Sequence, residues 1–394
     1  MRKSCIAVFV AGVGLFAGVM FAQGDASSAP ADQNPTPAQT PAPAASAPAP
    51  APPAPKSPLT QWGTDFSFLL DGYVDANFNN PDSGFNQLRN FDFRANTAHI
   101  NMGKITIDHG PAPVGFHLDV GFGQTFSWIN TNVGNRDPEA WKYFEQAYVS
   151  FKPKSWHGVE IDAGKFVTSA GAEVIETNQN WNYSRSLLFA WAIPYWHFGF
   201  RATVPIGAHF TGGVQVLNGW NNIEPINSGK TMGFTGAYAW KKVTWSNNYY
   251  VGPEHPGTTK GWRNLYDTSV VVNQTDNFSY YINFDYGRDK SIGSGASQWT
   301  GLAGAARYAF KKKYAVAGRL EFFDDMDGFS TGAVQNVKEF TMTGEYKPLG
   351  WLIARAEFRD DWSDKPFFQK DHGASGKNQP TVLFGLIAYI APKK

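Results

Sequence analysis

From Leu59 onward, apolar and polar residues alternate with a period of two. Between Phe66 and Phe78 the even positions are apolar or small, while Asp71, Asp75 and Asn77 share the opposite face. The same alternation runs through Val114–Val120 and Phe278–Tyr286, so both faces of each strand are assigned. Extending this template to the end of the chain predicts about sixteen strands. They centre near Val74, Ile100, Leu118, Tyr148, Ile161, Phe198, Val214, Phe234, Tyr249, Val270, Ile282, Gly304, Ala317, Met342, Ala354 and Leu386.

The connections alternate in length. Turns at Pro205-Ile206, Lys241-Lys242, Gln274-Thr275-Asp276, Lys311-Lys312 and Pro348-Leu349 are very short. The intervening ones, roughly nine to twenty-five residues long, are rich in Asn, Asp, Gly and Pro. Antiparallel strands, even in number, with trimmed turns at one end and elaborated loops at the other, are the signature of an outer-membrane barrel. The expected fold class is therefore all-β: an antiparallel transmembrane β-barrel of about sixteen strands, both termini on the periplasmic side. A soluble sandwich or propeller fits less well, because the outward faces carry Phe, Leu, Val, Ala and Tyr with scarcely a charge.

Composition agrees. Charged residues make up 17% of the chain where soluble domains average about 25%, and aromatic residues reach 15%. A net charge of +1 gives no reason to expect nucleic acid as a partner. Arg2 and Lys3 before an apolar run that ends at Phe21-Ala22 read as a signal peptide over 1–22. Residues 23–58 are an Ala/Pro-rich stretch expected to be a disordered, extended periplasmic linker. The barrel is expected over 59–394. No later apolar run approaches a spanning helix; the longest, Leu187 to Ile193, stops at Pro194. Cys5 is the one cysteine, so the body can hold no disulfide.

With the outward faces assigned, the inward ones follow. Asp71, Asp75, His117, Asp119, Asp162 and Arg201 come from early strands, and Asp285, Arg307, Arg319, Glu321, Glu345, Arg355, Glu357 and Arg359 from late ones. The arginines either line one wall of a pore as a basic ladder or pair with the glutamates to brace the barrel. A barrel this wide keeps an aqueous channel unless something narrows it. The third long connection, Thr168 to Ile193, either folds inward or caps the outer face; folded inward, opposite the ladder, it offers Glu173, Glu176 and Arg185 as constriction residues.

The stretches Gly164–Thr177, Trp181–Phe189, Asn218–Asn222 and Asp360–Phe368 resemble the OmpL-like family of outer-membrane β-barrel porins, a likeness covering nearly everything after residue 66. The resemblance implies a bacterial outer-membrane channel and supplies neither a substrate nor catalytic residues. One departure is visible. Such barrels commonly end on an aromatic residue read by the outer-membrane assembly machinery, whereas Tyr389 here is followed by Ile390-Ala391-Pro392-Lys393-Lys394.

Motifs of other chemistry fail on context. Gly328–Gly332 matches G-x-S-x-G but lies in a loop between strands. Gly229-Lys230-Thr231 has Glu224 where a phosphate loop needs glycine. Asp324, Asp325 and Asp327, like Asp360, Asp361 and Asp364, lack calcium-loop spacing and read as solvated loop acids. No catalytic residue, cofactor or metal is expected. The leading function is passive diffusion of small hydrophilic solutes through a charged lumen, with outer-membrane lipid as the surroundings. The alternatives are a barrel enzyme of lipase or protease type and a surface adhesin or scaffold. A homotrimer is the assembly that analogy with sixteen-stranded barrels suggests.

Overall fold

The computed structural model describes residues 57–131, 138–290 and 295–392. The signal peptide and nearly all of the linker lie outside the described residues. The rest is an antiparallel sheet of sixteen strands closed on itself. The first four are β1 Thr64–Asn77, β2 Ala98–His109, β3 Val114–Phe122 and β4 Phe144–Phe151. Next come β5 Glu160–Val167, β6 Trp196–Ile206, β7 Phe210–Leu217 and β8 Thr231–Trp240. They are followed by β9 Val243–His255, β10 Thr258–Asn273, β11 Phe278–Lys290 and β12 Ala296–Phe310. The last are β13 Tyr314–Asp325, β14 Gln335–Leu349, β15 Leu352–Ser363 and β16 Asn378–Ile390. Each strand pairs with its sequence neighbours, and β16 returns to β1, from Thr381 opposite Asn77 to Ile390 opposite Phe68. Closure leaves no unpaired edge, which a barrel in hydrocarbon requires.

All sixteen expected centres fall inside strands. The alternation assigned to the first strand is observed: Phe68, Leu70 and Val74 are exposed on the outside, while Asp71, Asp75 and Asn77 are buried within. Late strands repeat it, with Val316, Leu320 and Met342 outside and Arg319, Glu321 and Thr341 inside.

Two of the connections differ from expectation. The strands β9 to β12 run on for 13, 16, 13 and 15 residues and convert most of the expected β9–β10 and β11–β12 loops into ladder. Two short turns also shift. Pro205 and Ile206 still pair across to Thr211 and Phe210, and the reversal falls at 207–209, where Gly207 adopts φ +66°. Leu349 pairs with Leu352, so that turn is Gly350-Trp351.

In the early strands, β-bulges break the period at two places. Asp71 pairs with Met102 and Gly72 with Ile100, leaving Asn101 unpaired in β2. Asp119 pairs with Gln146 and Val120 with Phe144, leaving Glu145 unpaired in β4. A bulge re-aims the side chain it carries. Both extra residues are completely buried, and Asn101 reaches Asp71 at 2.8 Å.

The long connections close one end. The loop over 78–97 contributes Leu88 and Phe91, and the helix Gln124–Ile129 contributes Phe126 and Ile129, to a cluster with Leu187, Phe189, Trp196 and Tyr195. Asp325 is not the solvated loop acid expected: it is fully buried and accepts the backbone N–H groups of Phe329, Ser330 and Thr331 at 2.8, 2.9 and 2.6 Å. The loop that matched a nucleophile pattern is thus wrapped around a carboxylate that satisfies its backbone.

The outward belt makes a stability prediction. Val214, exposed on the outer face, should tolerate arginine at a cost of about 2–4 kcal/mol near the membrane midplane. Lys347→Gln, on the inward, water-exposed row, should change stability by less than about 0.5 kcal/mol. Reversible unfolding in lipid measures both, and equal effects would mean the faces are reversed.

Candidate functional site: a loop clamped inside the barrel

The segment 168–195 carries little regular structure, only a turn at Thr177–Gln179 and a wide helical turn at Leu188–Ala192. Its backbone groups therefore need partners from elsewhere. Some come from within. The Asn180 side chain donates to Val174 O at 2.7 Å and Glu176 O at 3.1 Å, and accepts from Val174 N at 3.0 Å. Arg185 is almost wholly buried and donates to Tyr183 O at 2.5 Å, Val174 O at 3.2 Å, Thr177 Oγ1 at 2.9 Å and Ile175 O, while lying 4.7 Å from the Phe91 ring centroid. A guanidinium offers five donors, which suits it to gather carbonyls that have no helix or sheet partner.

The barrel wall supplies the rest. Register places Arg319, Thr341 and Arg359 side by side across β13, β14 and β15, with Glu345 and Arg355 paired further along the last two. Arg355 donates to three loop carbonyls, Thr177 O at 2.8 Å, Asn180 O at 2.6 Å and Asn182 O at 3.0 Å, and is held from behind by Glu345 at 2.8 Å. Arg359 donates to Arg185 O at 2.6 Å and pairs with Asp361 at 2.8 Å. Arg319 reaches Ser184 O at 2.9 Å and Glu173 at 2.7 Å from between Glu321 at 2.8 Å and Glu339 at 3.0 Å. In the other sense, Glu357 accepts the N–H groups of Tyr183 and Ser184 at 2.5 and 2.9 Å, and Glu321 accepts that of Leu188 at 3.2 Å. Asp71 accepts the Tyr183 hydroxyl at 2.7 Å and that of Thr177 at 2.5 Å.

On sequence alone these arginines are either a ladder facing this loop or braces paired with glutamates. Arg307, Arg319 and Arg355 do pair with Glu345 and Glu321, and Arg319, Arg355 and Arg359 also touch the loop. The physical reason is that an irregular loop presents unpaired carbonyls and Glu173, the acceptors that closely ranked guanidiniums need once removed from water. The wall is hollowed to receive it: a Cβ on Gly385 would lie 2.3 Å from the Tyr183 ring, and one on Gly301 2.6 Å from Leu188.

Other candidate residues lie away from this clamp. Arg201 pairs with Asp162 at 2.7 Å and stacks over Tyr148 and Phe166. Arg307 pairs with Glu345 at 2.8 Å. Asp75 accepts Asn86 Nδ2 at 2.7 Å and so anchors the first loop, and Asp285 stands directly opposite Asp267, both completely buried. Asp119 belongs to a separate cluster with His117 at 3.1 Å, Gln146 at 2.8 Å and Lys104 at 3.4 Å. That cluster borders a cavity of about 300 Å³ whose ceiling is the underside of the loop, Glu173 to Glu176 with Asn178 and Gln179, and whose sides include Lys104, His117, Asp119 and Tyr389.

Two residues of this cavity cluster were missed from sequence. Lys104 lies opposite in parity to Ile105 and Ile107, so alternation alone could have found it. Glu145 has the outward parity of its strand and is turned inward only by the bulge.

A closed sixteen-stranded antiparallel barrel with an apolar outer belt, a polar inner row and a loop packed inside it defines an outer-membrane porin. Residues 63–390 match the model of the family described as "Putative beta-barrel porin-2, OmpL-like", and the chain belongs to that family, in the bacterial outer membrane. Among solved structures it is similar to the anion-selective porin from Comamonas acidovorans, with TM-score 0.56 and 10% identity over 83% of this chain and 99% of that one. The outer membrane channel DcaP of Acinetobacter baumannii gives TM-score 0.55 and 12% identity over 83% and 98%. The trimer form of OmpT, an outer membrane protein of Vibrio cholerae, gives TM-score 0.54 and 10% identity over 83% and 99%. At these identities the likeness is one of fold. No curated protein matches the chain.

The clamp predicts a specific weakness. Arg355→Lys keeps the charge but cannot serve three carbonyls and Glu345 in one planar fork. Local opening of 176–186 should become easier by about 1–3 kcal/mol, the range for hydrogen bonds to a charged group. Limited proteolysis of the folded barrel should show cleavage in that segment rising about fivefold or more. Unchanged protection would mean the clamp does not hold the loop.

Proposed function

We propose that this porin passes small hydrophilic solutes by passive diffusion, and that the loop 168–195 is its constriction. The observation that carries the reading is the clamp itself: wall residues of β13 and β15 hold the loop by its backbone across the interior, and Asp71 of β1 accepts two of its hydroxyls. Beneath it lies the polar cavity; above it Leu187, Phe189 and Tyr195 pack against the first two long loops. A solute must negotiate the loop's edge, which favours small, hydrated species over bulky ones.

In this reading Glu176 faces the conducting space, whereas Glu173, buried against Arg319 and Ser186 N, and Arg185, whose donors are spent inside the loop, act as its internal braces. Arg319, Arg355 and Arg359 are positioning residues. Asp119 and Arg201 line the wider part on the other side, while Asp71, Glu321 and Glu357 hold the loop and Asp75 the first loop. A homotrimer is the assembly we favour, by likeness to the trimeric form of the neighbour above. Insertion by the outer-membrane assembly machinery would use the β16 strand, its terminal aromatic Tyr389 lying one residue before the strand's end.

Deletion of residues 176–184 should raise single-channel conductance in planar bilayers severalfold, provided the barrel is shown to be folded. Unchanged conductance in a folded deletion variant would place the constriction elsewhere. Silence of the intact protein, with hydrolytic or adhesive activity in its place, would overturn the porin reading.

A further inference from the structure

The cavity beneath the loop contains a charge imbalance that the clamp does not use. Lys104 Nζ lies 2.5 Å from Glu176, 3.1 Å from Glu145 and 3.4 Å from Asp119. Oxygens of those three carboxylates all fall within 4.8 Å of one another. A single ammonium thus faces three acids. His117 adds at most one further positive charge, and it lies between Asp119 at 3.1 Å and a fourth acid, Asp108, at 2.8 Å. Even with His117 protonated, carboxylates outnumber cations two to one.

Glu145 makes the imbalance specific. It is completely buried, carried inward by the bulge, and among the described residues its carboxylate is met only by the shared Lys104 ammonium at 3.1 Å. A buried carboxylate with only a charge contact to a shared lysine is under-compensated, and a cation entering the neighbouring cavity would relieve it. Lys104, Asp119 and Glu176 themselves line that cavity, so the approach is open. Of the other buried basic groups, Lys165 donates to Asn130 Oδ1 and to Phe144 O, both at 2.7 Å. Arg319, Arg355 and Arg359 are buried behind the loop in pairs with Glu339, Glu345 and Asp361, and Arg201 is paired with Asp162.

We propose that the lumen selects small cations, and that Asp119, Glu145 and Glu176 around Lys104 are the residues that discriminate. The inference rests on the porin reading and names its substrate class. A hydrated cation reaching the loop's underside exchanges part of its water for carboxylate oxygens, and Lys104 keeps the site from holding it tightly. An anion meets net negative charge at the same point, in a confined space where water screens poorly.

Reversal potentials under a KCl gradient across planar bilayers test the assignment. The intact protein should favour K⁺ over Cl⁻ severalfold, with the preference shrinking in 1 M salt, where screening acts within about 3 Å. Glu176→Gln, a change on the loop that leaves the wall intact, should lower the permeability ratio. Lys104→Gln should raise it, and Glu145→Gln made together with Lys104→Gln should bring it back down. Opposite shifts from the first two variants are what a merely structural cluster would not produce. A channel that favours chloride, or a ratio unmoved by both Glu176→Gln and Lys104→Gln, overturns the cation assignment and leaves the porin reading standing. Absence of any channel overturns both.

Discussion

The structure depends on how an irregular loop can be buried at all. Its carbonyl and N–H groups cannot be left unpaired in a dry interior, at a cost of about 1–3 kcal/mol each. The barrel meets this demand with Arg355 and Glu357, one fork serving three carbonyls and one carboxylate serving two N–H groups. Burying those charges is itself costly unless each is compensated. Hence the second layer of Glu345, Glu339 and Asp361, which holds the guanidiniums from the side away from the loop. Loop and wall form one polar network, and removing any member strands another.

That network explains why charged residues are concentrated on the inner row although the chain as a whole is poor in charge. The outer belt excludes them because lipid cannot solvate them, and the inner row needs them because the loop brings unsatisfied backbone. Glycines at 301 and 385 complete the arrangement by letting Leu188 and Tyr183 settle directly on the wall.

Much of this was legible in the sequence. Period-two alternation located every strand and separated inside from outside, since Asp71 and Arg319 are buried inward where parity put them. Parity alone allows the arginines to be a ladder across the pore from Glu173 or braces paired with glutamates. Arg319 touches both Glu173 and Glu321, and Arg355 touches Glu345, because alternation along a strand carries no information about how close the loop will lie. Loop length was overestimated between β9 and β10 and between β11 and β12, where the strands simply run on. Glu145 was invisible for a sharper reason. A bulge shifts the parity by one residue, and nothing in Phe144-Glu145-Gln146 marks where the ladder slips. The cavity cluster, assembled from three strands and the loop, could emerge only from the folded register.

The claim that the loop's underside borders the conducting path is tested most directly at Val174, an exposed loop residue that borders the cavity. In a chain with Cys5→Ser, a Val174→Cys variant should react in the bilayer with a small charged thiol reagent, and single-channel current should fall stepwise as it does. Reaction of the thiol with current unchanged, or no reaction in a conducting channel, would contradict the account.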